Sequence, residues 1–281
     1  MYEIWEALLL GAVQGAAEWL PISSEGVLTL IQLHVLQRPL AESVAFAIWL
    51  HLGTLLAAVS YFRRELLQLT KALPRWILPA HRGDLSDTDR KLLDFLGVAT
   101  VLTGLVGAPL LALSLSLDPL SRWGTALIGA LLIGTGLIQL IAPRRKLGGR
   151  TVLGLSVRDA LWAGLAQGLA ALPGLSRSGL TISILLLRGF RETEALRLSF
   201  LMSIPVIFAA QFLLKLLELL RTTDEEPLLS AGALAGAAGV LSAAFVGWLT
   251  ISALMGLARR LPFWAFAIGL GVFSLIAALL A

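Results

Sequence analysis

The sequence contains no cysteine among its 281 residues and only three histidines. The lack of cysteine excludes disulfides, thiolate nucleophiles and zinc–thiolate sites, and the scattered histidines do not suggest a histidine metal cage. Charged residues are also scarce, at 14% of the chain against 57% hydrophobic residues. This composition argues strongly against a soluble domain.

The small excess of positive charge, 22 Lys and Arg against 18 Asp and Glu, gives a net charge of +4. The cations cluster between apolar segments, as they do in membrane loops, so no nucleic acid partner is expected. The N-terminus reads MYEIWEALLL, with acids rather than a basic region before its apolar stretch. A cleaved signal peptide is therefore not expected, and we assign this segment to the mature fold.

Long apolar runs dominate what is present. A helix needs about 20 apolar residues to cross the hydrocarbon core, and charge-free runs predict six spans at 44–62, 95–117, 123–142, 198–214, 228–258 and 261–281. Shorter apolar pieces flank two polar breaks, 7–17 with 26–36 and 160–172 with 178–187. Each of these pairs predicts a re-entrant helical hairpin.

The loop cations predict the orientation of the spans, because Lys and Arg are retained on the cytoplasmic side. Placing the basic loops inside makes all six spans consistent. Both termini then lie outside, the first hairpin enters from the outer face, and the second enters from the inner face. The 64–91 connection mixes cations with aliphatic residues and is predicted to lie along the inner surface as an amphipathic stretch.

The two hairpins resemble each other in sequence, since each contains Gln-Gly, then Leu-Pro, then serines before a glycine. One hairpin plus three spans has an odd number of crossings, so a second copy must enter the membrane upside down. We therefore predict an all-α integral membrane fold of two inverted-topology repeats. The chain is one domain, 1–281, with halves 1–145 and 146–281.

The first polar break carries ionisable residues at membrane depth, which are costly and favour a functional site over a network that only satisfies broken helix ends. Gln14 and Glu18 are four residues apart and share one helix face. Beyond Pro21, the start of the next half-helix offers hydroxyls, a second carboxylate and free N–H groups that suit an anion. These residues are Ser23, Ser24, Glu25 and Gly26.

The second break combines a guanidinium, which matches phosphate oxygens, with hydroxyls and small residues. Its candidate binding residues are Gly174, Ser176, Arg177, Ser178, Gly179 and Thr181. The alternative is that Arg177 is an inner-surface charge in a structural ion pair. A divalent metal, Mg²⁺ or Ca²⁺, bound by Glu18 with Glu25 as a second ligand, would complete the electrostatics of phosphoryl transfer.

The chain resembles the undecaprenyl-pyrophosphate phosphatase family, the bacitracin-resistance membrane enzymes. Two motifs carry the resemblance: Gln14-Gly15-x-x-Glu18-Trp19-Leu20-Pro21-Ile22-Ser23-Ser24 and Pro173-Gly174-Leu175-Ser176-Arg177-Ser178-Gly179-Leu180-Thr181. The resemblance implies a metal-dependent hydrolase that removes the terminal phosphate of a polyprenyl pyrophosphate lipid at the outer side of the cell membrane. Gln14 and Glu18 match the family's Glu/Gln-x-x-x-Glu motif. The resemblance also favours Ser24 as the nucleophile.

One departure from the family pattern concerns the histidine that many members carry after the serine pair. This chain reads Glu25-Gly26-Val27 there, and valine cannot transfer protons. Three alternatives follow. Glu25 takes over the acid/base or metal role, His51 approaches the site from the next helix, or this branch of the family does different work. The alternative function is a polyprenyl-phosphate flippase or another inverted-repeat transporter. The sequence carries no signal for oligomeric state, so a homodimer stays open.

Overall fold

The computed structural model describes residues 2–78, 83–116, 122–141, 149–172, 175–220 and 232–257, with the short pieces 268–269, 271–272 and 275–276. Ten α-helices lie in this part of the chain: α1 (Ile4–Ala17), α2 (Ser24–His34), α3 (Leu40–Tyr61), α4 (Arg63–Ile77), α5 (Asp87–Ser116), α6 (Arg122–Ile141), α7 (Val157–Leu169), α8 (Arg177–Leu187), α9 (Glu192–Leu220) and α10 (Ala233–Leu257). The predicted all-α class is confirmed.

Three helical segments are long and apolar enough to cross a membrane: Asp87–Leu113, Glu192–Phe212 and Ala233–Met255. A fourth candidate is the pair Ala45–Tyr61 and Arg63–Ile77, which is bent by 83° at its break and is long and apolar enough only when the two helices are taken together. These segments match four of the six predicted spans, as expected of a multi-pass membrane protein. Helix α6 follows the predicted span 123–142, whereas the predicted span 261–281 lies almost wholly outside the described residues.

Helix α4 follows the sharp bend and has three different faces. Leu69 and Ala72 are buried against the protein, Ile77 is 59% exposed on a second face, and cations such as Arg64 and Lys71 are exposed on a third. An apolar stripe beside a cationic one is typical of a helix lying in the plane of a membrane surface. This agrees with the amphipathic stretch predicted in this part of the chain.

Two pairs of short helices correspond to the predicted hairpins. Helices α1 and α2 have 14 and 11 residues and α7 and α8 have 13 and 11. At 1.5 Å per residue each extends roughly 20 Å, less than the hydrocarbon thickness of about 30 Å. Each helix is therefore too short to cross alone, as a re-entrant hairpin requires.

The open end of the first hairpin is fastened by a buried acid and an arginine. Glu6, the third residue of α1, accepts a hydrogen bond from the Glu3 N–H at 2.9 Å and pairs with the Arg38 guanidinium at 2.8 Å. Arg38 follows α2 and lies over the Tyr2 ring, 4.9 Å from its centroid. The first turn of α1 is thereby tied to the segment that leaves α2.

The open end of the second hairpin is fastened in the same way. Asp159, the third residue of α7, accepts from the Ser156 N–H at 2.9 Å and pairs with Arg188 Nε at 2.7 Å and Arg150 Nη2 at 2.6 Å. Arg188 is the residue directly after α8. We call the pairs Glu6–Arg38 and Asp159–Arg188 the hairpin clamps.

Asp159 is fully buried, and burial raises the pKa of its carboxyl. Hydrogen bonds from Arg150, Ser156 and Arg188 outweigh that effect, so the net pKa lies below the ordinary value of 3.8. The second clamp is therefore ionised at neutral pH.

Glycines let both hairpins pack closely on spanning helices. A Cβ on Gly11 would lie 2.2 Å from the Gly239 carbonyl oxygen, and one on Gly164 would lie 2.7 Å from the Ala99 carbonyl oxygen. Any larger residue would force the backbones apart. Helix α1 is therefore held against α10, and α7 is held against α5. One apolar core contains Trp19 at the tip of the first hairpin and Leu185 of α8, together with Phe62, Phe95 and Phe200.

Candidate active site

The tips of both hairpins are built alike. In each, a serine caps the second helix: the Ser23 hydroxyl accepts from the Gly26 N–H at 3.1 Å, and the Ser176 hydroxyl accepts from the Gly179 N–H at 3.0 Å. The next residue begins the helix, Ser24 in one hairpin and Arg177 in the other. The caps thus fix the starting points of two half-helices, each of which carries a candidate functional side chain.

Glu18 joins these two half-helices. Ser24 Oγ donates to Glu18 Oε2 at 2.7 Å, and Arg177 Nη2 forms an ion pair with Glu18 Oε1. Gln14 Nε2 donates to Glu18 Oε2 at 3.0 Å from the same face of α1. The carboxylate is buried, with 5% of its side chain exposed. The two polar breaks therefore meet at one carboxylate.

His51, on α3, completes the surroundings of that carboxylate, with its Nε2 3.4 Å from Glu18 Oε2. The other ring nitrogen, Nδ1, lies 2.7 Å from the Ala47 carbonyl oxygen. A carbonyl can only accept, so Nδ1 carries a hydrogen and the Nε2 edge faces Glu18. Of the two residues that could replace the missing histidine, His51 lies beside Glu18 and Glu25 lines the same cavity.

Arg177 is held in place from three sides. Besides Glu18, its guanidinium reaches the Ser199 carbonyl oxygen at 3.5 Å and lies 5.8 Å from the centroid of the Trp19 ring. Trp19 is fully buried and packs edge-on against Phe200. Only 16% of the Arg177 side chain is exposed and its partner comes from the other hairpin, which favours a site role over a charge at the inner surface.

A cavity of about 280 Å³ opens beside these groups. Its polar part is lined by Glu18, Ser23, Ser24, Glu25, His51, Arg177 and Ser178. Its apolar part runs between α5 and α9 and is lined by residues such as Leu111, Val206, Ile207 and Ala210. A charged head group and an apolar chain could therefore occupy the same cavity.

Several predicted binding residues shape the site from behind the cavity wall. Gly26, Ser176 and Gly179 form the two caps. Thr181 Oγ1 contacts Ser199 Oγ at 2.6 Å on α9 and does not line the cavity. Ser178 does line it, and its hydroxyl donates to the Leu20 carbonyl oxygen at 2.7 Å, which ties the second tip to the first. Gly174 lies outside the described residues.

The comparisons with known proteins agree with the two motifs. A family model described as "Bacitracin resistance protein BacA" matches residues 7–276. The chain belongs to the BacA family. It is 41% identical to a protein named undecaprenyl-diphosphatase from Methanococcoides burtonii, over 98% of each chain. Identity is 38% to proteins of the same name from Haloarcula marismortui, over 100% of this chain and 99% of the relative, and Korarchaeum cryptofilum, over 98% and 100%. These names describe a phosphatase and give the transporter alternative no support.

Some of the residues that line the cavity of this BacA-family member were not predicted from the sequence motifs. Thr100, Thr103, Gln167 and Ser203 line a second polar wall, formed by α5, α7 and α9. Gln167 could have been found, because it matches Gln14 within the repeated pattern Gly-x-x-Gln-Gly. Thr100 and Thr103 are hydroxyl residues one helical turn apart in an apolar span, which is a weaker signal.

The described residues of the site offer few free ligands for a divalent cation. Among the described residues, no group of three or more His, Asp or Glu side chains is arranged to hold a metal. Glu18 is already surrounded by Gln14, Ser24, His51 and Arg177. Glu25 lines the cavity and, within the described part of the chain, its carboxylate has no hydrogen bond or ion pair. Mg²⁺ commonly takes one or two carboxylates and completes its shell with substrate oxygens and water, so Glu25 is the available ligand.

Proposed function

We propose that this BacA-family chain is a membrane hydrolase that removes the terminal phosphate from a polyprenyl pyrophosphate of undecaprenyl type. The observation that carries the proposal is the meeting of the Ser24 hydroxyl and the Arg177 guanidinium on the Glu18 carboxylate, beside a cavity with a polar and an apolar part. The names of the relatives support the same reaction. The conclusion is a phosphoric anhydride hydrolase that recycles a lipid carrier.

Binding begins with an exchange of partners at Arg177. A guanidinium forms paired hydrogen bonds with phosphate oxygens, and the half-helix N-termini at Ser24 and Arg177 add free N–H groups and the positive end of the helix dipole. When the pyrophosphate binds Arg177, the guanidinium leaves Glu18 Oε1. Glu18 then gains the capacity to accept a proton, and its contact with Ser24 Oγ at 2.7 Å provides the proton to accept.

In the route that we favour, Ser24 Oγ attacks the terminal phosphorus as its proton passes to Glu18. A bond forms from Ser24 Oγ to phosphorus, the bond from phosphorus to the bridging oxygen breaks, and polyprenyl phosphate leaves with that electron pair. Water then cleaves the phosphoseryl bond and restores the hydroxyl. In the alternative route, water attacks the terminal phosphorus directly and gives its proton to the same carboxylate.

A divalent metal, Mg²⁺ or Ca²⁺, would be held by Glu25 together with oxygens of the pyrophosphate, with Glu18 as a second ligand once Arg177 has moved. When bound, it would neutralise negative charge on the transferring phosphoryl group. Gln14 orients Glu18, and His51 contributes a ring nitrogen that can take or return a proton. Ser23, Gly26, Ser176, Ser178, Gly179 and Thr181 shape the phosphate pocket, and Gly174 belongs to the same loop by sequence.

The architecture that we propose for this reaction is a pair of inverted repeats, 1–145 and 146–281. Its support is the equal construction of the two hairpins, with matching caps, matching clamps and close packing of α1 on α10 and α7 on α5. The loop cations support an orientation with both termini outside, and membership of the BacA family supports a site that faces the outer side of the cell membrane. The apolar part of the cavity, between α5 and α9, suits the first isoprenoid units.

The test is phosphate release from a polyprenyl pyrophosphate by purified wild-type protein and two variants. Glu18→Ala and Arg177→Ala are each expected to lower kcat/KM by about 10²-fold or more, because each removes a charged group that contacts the reacting atoms. Glu65→Ala is the matched control, because it breaks the ion pair with Arg197 that lies away from the cavity. Undiminished turnover in both site variants would overturn the assignment.

A further inference from the structure

The cavity has a second group of polar lining residues, the second polar wall, which the proposed chemistry does not use. Gln167 sits at the end of α7 and is only 3% exposed, yet it lines the cavity. Its Nε2 donates to Thr103 Oγ1 at 3.2 Å and to the Met202 carbonyl oxygen at 3.3 Å. A carbonyl only accepts, so the amide orientation is fixed and Oε1 points away from both partners.

Two buried oxygens on this wall have no hydrogen-bond partner among the described residues: Gln167 Oε1 and Thr100 Oγ1. Thr103 cannot donate to them, because its hydroxyl already donates to the Gly164 carbonyl oxygen at 3.1 Å. Ser203 cannot either, since its hydroxyl donates to the Phe200 carbonyl oxygen at 2.6 Å. Buried polar atoms are almost always paired, so this wall requires an occupant from the cavity.

The occupant must donate hydrogen bonds. Gln167 Oε1 is a pure acceptor, and the only donor left on the described wall is the Thr100 hydroxyl. A phosphate dianion has no hydrogens to give and would meet acceptor oxygens, so it is a poor match. Water has two donors and two acceptors, and buried waters typically fill sites of this kind. The small side chains of Ala170 and Ala171 leave space beside Gln167.

We propose that Gln167 and Thr100 hold a water molecule in the cavity and that this water is the phosphoryl acceptor. The inference rests on the proposed function, which requires water in either route. The water oxygen forms a bond to phosphorus as the bond from phosphorus to Ser24 Oγ, or to the bridging oxygen, breaks. In the covalent route Glu18 returns its first proton to Ser24 Oγ as that bond breaks and takes the proton of the water. In the direct route Glu18 takes the proton of the water. Gln167 and Thr100 position the acceptor, and Thr103 orients Gln167.

The test uses methanol as a competing acceptor during turnover of a polyprenyl pyrophosphate by the full chain. The ratio of methyl phosphate to inorganic phosphate does not depend on how much protein is correctly folded. Thr100→Val and Gln167→Leu should each lower kcat roughly three- to tenfold with KM unchanged, and each should raise the methyl phosphate share severalfold. Thr100→Ser keeps the hydroxyl and should restore the wild-type ratio.

The matched control is Gln32→Leu. Gln32 is a buried glutamine whose oxygen accepts from Tyr2 Oη at 2.5 Å and whose nitrogen donates to the Leu28 and Ser43 carbonyl oxygens. This variant should leave the ratio unchanged. An unchanged ratio in Thr100→Val, or a loss of inhibition by inorganic phosphate with kcat unchanged, would overturn the proposal. Absence of any hydrolysis by the wild type would instead remove the proposed function itself.

Discussion

At the scale of single residues, the site depends on how one buried carboxylate distributes its hydrogen bonds. Glu18 receives Ser24 on one oxygen and Arg177 on the other, so the nucleophile and the phosphate-binding group are positioned together. Ser24→Ala is expected to lower kcat by about 10²–10⁴-fold, because the attacking oxygen is lost. Brief reaction with a lipid carrying labelled terminal phosphate, followed by acid quench, should label wild-type protein and leave Ser24→Ala unlabelled.

Ser23→Ala gives the matched comparison, since Ser23 is the helix cap beside the nucleophile. Losing this cap should lower the free energy of unfolding by about 1 kcal/mol, whereas Ser24→Ala should leave it nearly unchanged. Thermal unfolding of both variants separates the two roles. Label retained in Ser24→Ala, or turnover near the wild-type rate, would exclude the covalent route and favour direct attack by water.

The sequence predicts those parts of the site that depend on contacts between neighbouring residues. Gln14 and Glu18 share a helix face by simple spacing, and their contact is local. The contact of Glu18 with Arg177 joins residues 159 positions apart. The repeat and the family resemblance suggested a shared site, but no local pattern indicates this pair. Thr100 was missed because an unpaired oxygen is a property of packing, whereas Gln167 matches Gln14 in the repeated pattern and could have been found. His51 entered the site because α3 places it beside Glu18, which no local pattern indicates.

At the scale of helices, the hairpin clamps keep two short, broken elements in place. Asp159→Asn should lower the free energy of unfolding by about 1–3 kcal/mol at pH 7, because Arg150 and Arg188 lose their charged acceptor and both are partly solvated. The folded pKa of Asp159 is below its ordinary value of 3.8. The stabilisation is therefore complete above that value and is lost as the pH falls from 3.8 through the folded pKa.

The measurement is the unfolding midpoint of detergent-solubilised wild type and Asp159→Asn at pH 7 and at about pH 3. The difference between them should shrink at the lower pH. Asp87→Asn is the control. The Asp87 side chain is 72% exposed in its ion pair with Arg90, and surface ion pairs contribute little to the free energy of unfolding. A difference that persists unchanged at low pH would show that the carboxylate charge is not the stabilising feature.

Helix existence was easier to predict than helix extent. Charge-free runs indicated the span 198–214, yet α9 covers Glu192–Leu220, because a helix continues past the hydrocarbon where its polar residues are solvated. The predicted span 44–62 and the amphipathic 64–91 stretch indicated a turn between α3 and α4 but not its angle of 83°. The clamps were not predicted, since each pairs an acid in a first helical turn with an arginine about 30 positions away.

At the scale of the whole molecule, each hairpin packs on a spanning helix from the opposite half. Helix α1 contacts α10 through Gly11 and Gly239, and α7 contacts α5 through Gly164 and Ala99. Neither half of this arrangement can form its site alone, because Glu18 comes from the first hairpin and Arg177 from the second. Periodicity predicts helices but not these partners, since glycine–backbone contacts between distant segments leave no local pattern.

The last prediction concerns the proposed orientation of the chain in the membrane. Because the chain has no cysteine, single cysteines report sidedness without background. Val35 is 71% exposed after α2, and Leu153 is 56% exposed before α7. If basic loops lie inside, Val35→Cys should react with a membrane-impermeant maleimide in intact cells. Leu153→Cys and Thr70→Cys, on the exposed side of α4, should react only after permeabilisation.

Two controls make this labelling decisive. Each cysteine variant must retain phosphate release, which shows that the label reports the working fold. A cysteine at Ala99, which is fully buried against Gly164, should stay unreactive on both sides. Opposite sidedness at all three exposed positions would invert the molecule and turn the site toward the cytoplasm. Labelling of Val35→Cys and Leu153→Cys from the same side would remove the inverted relation of the hairpins, because their open ends must then face one compartment.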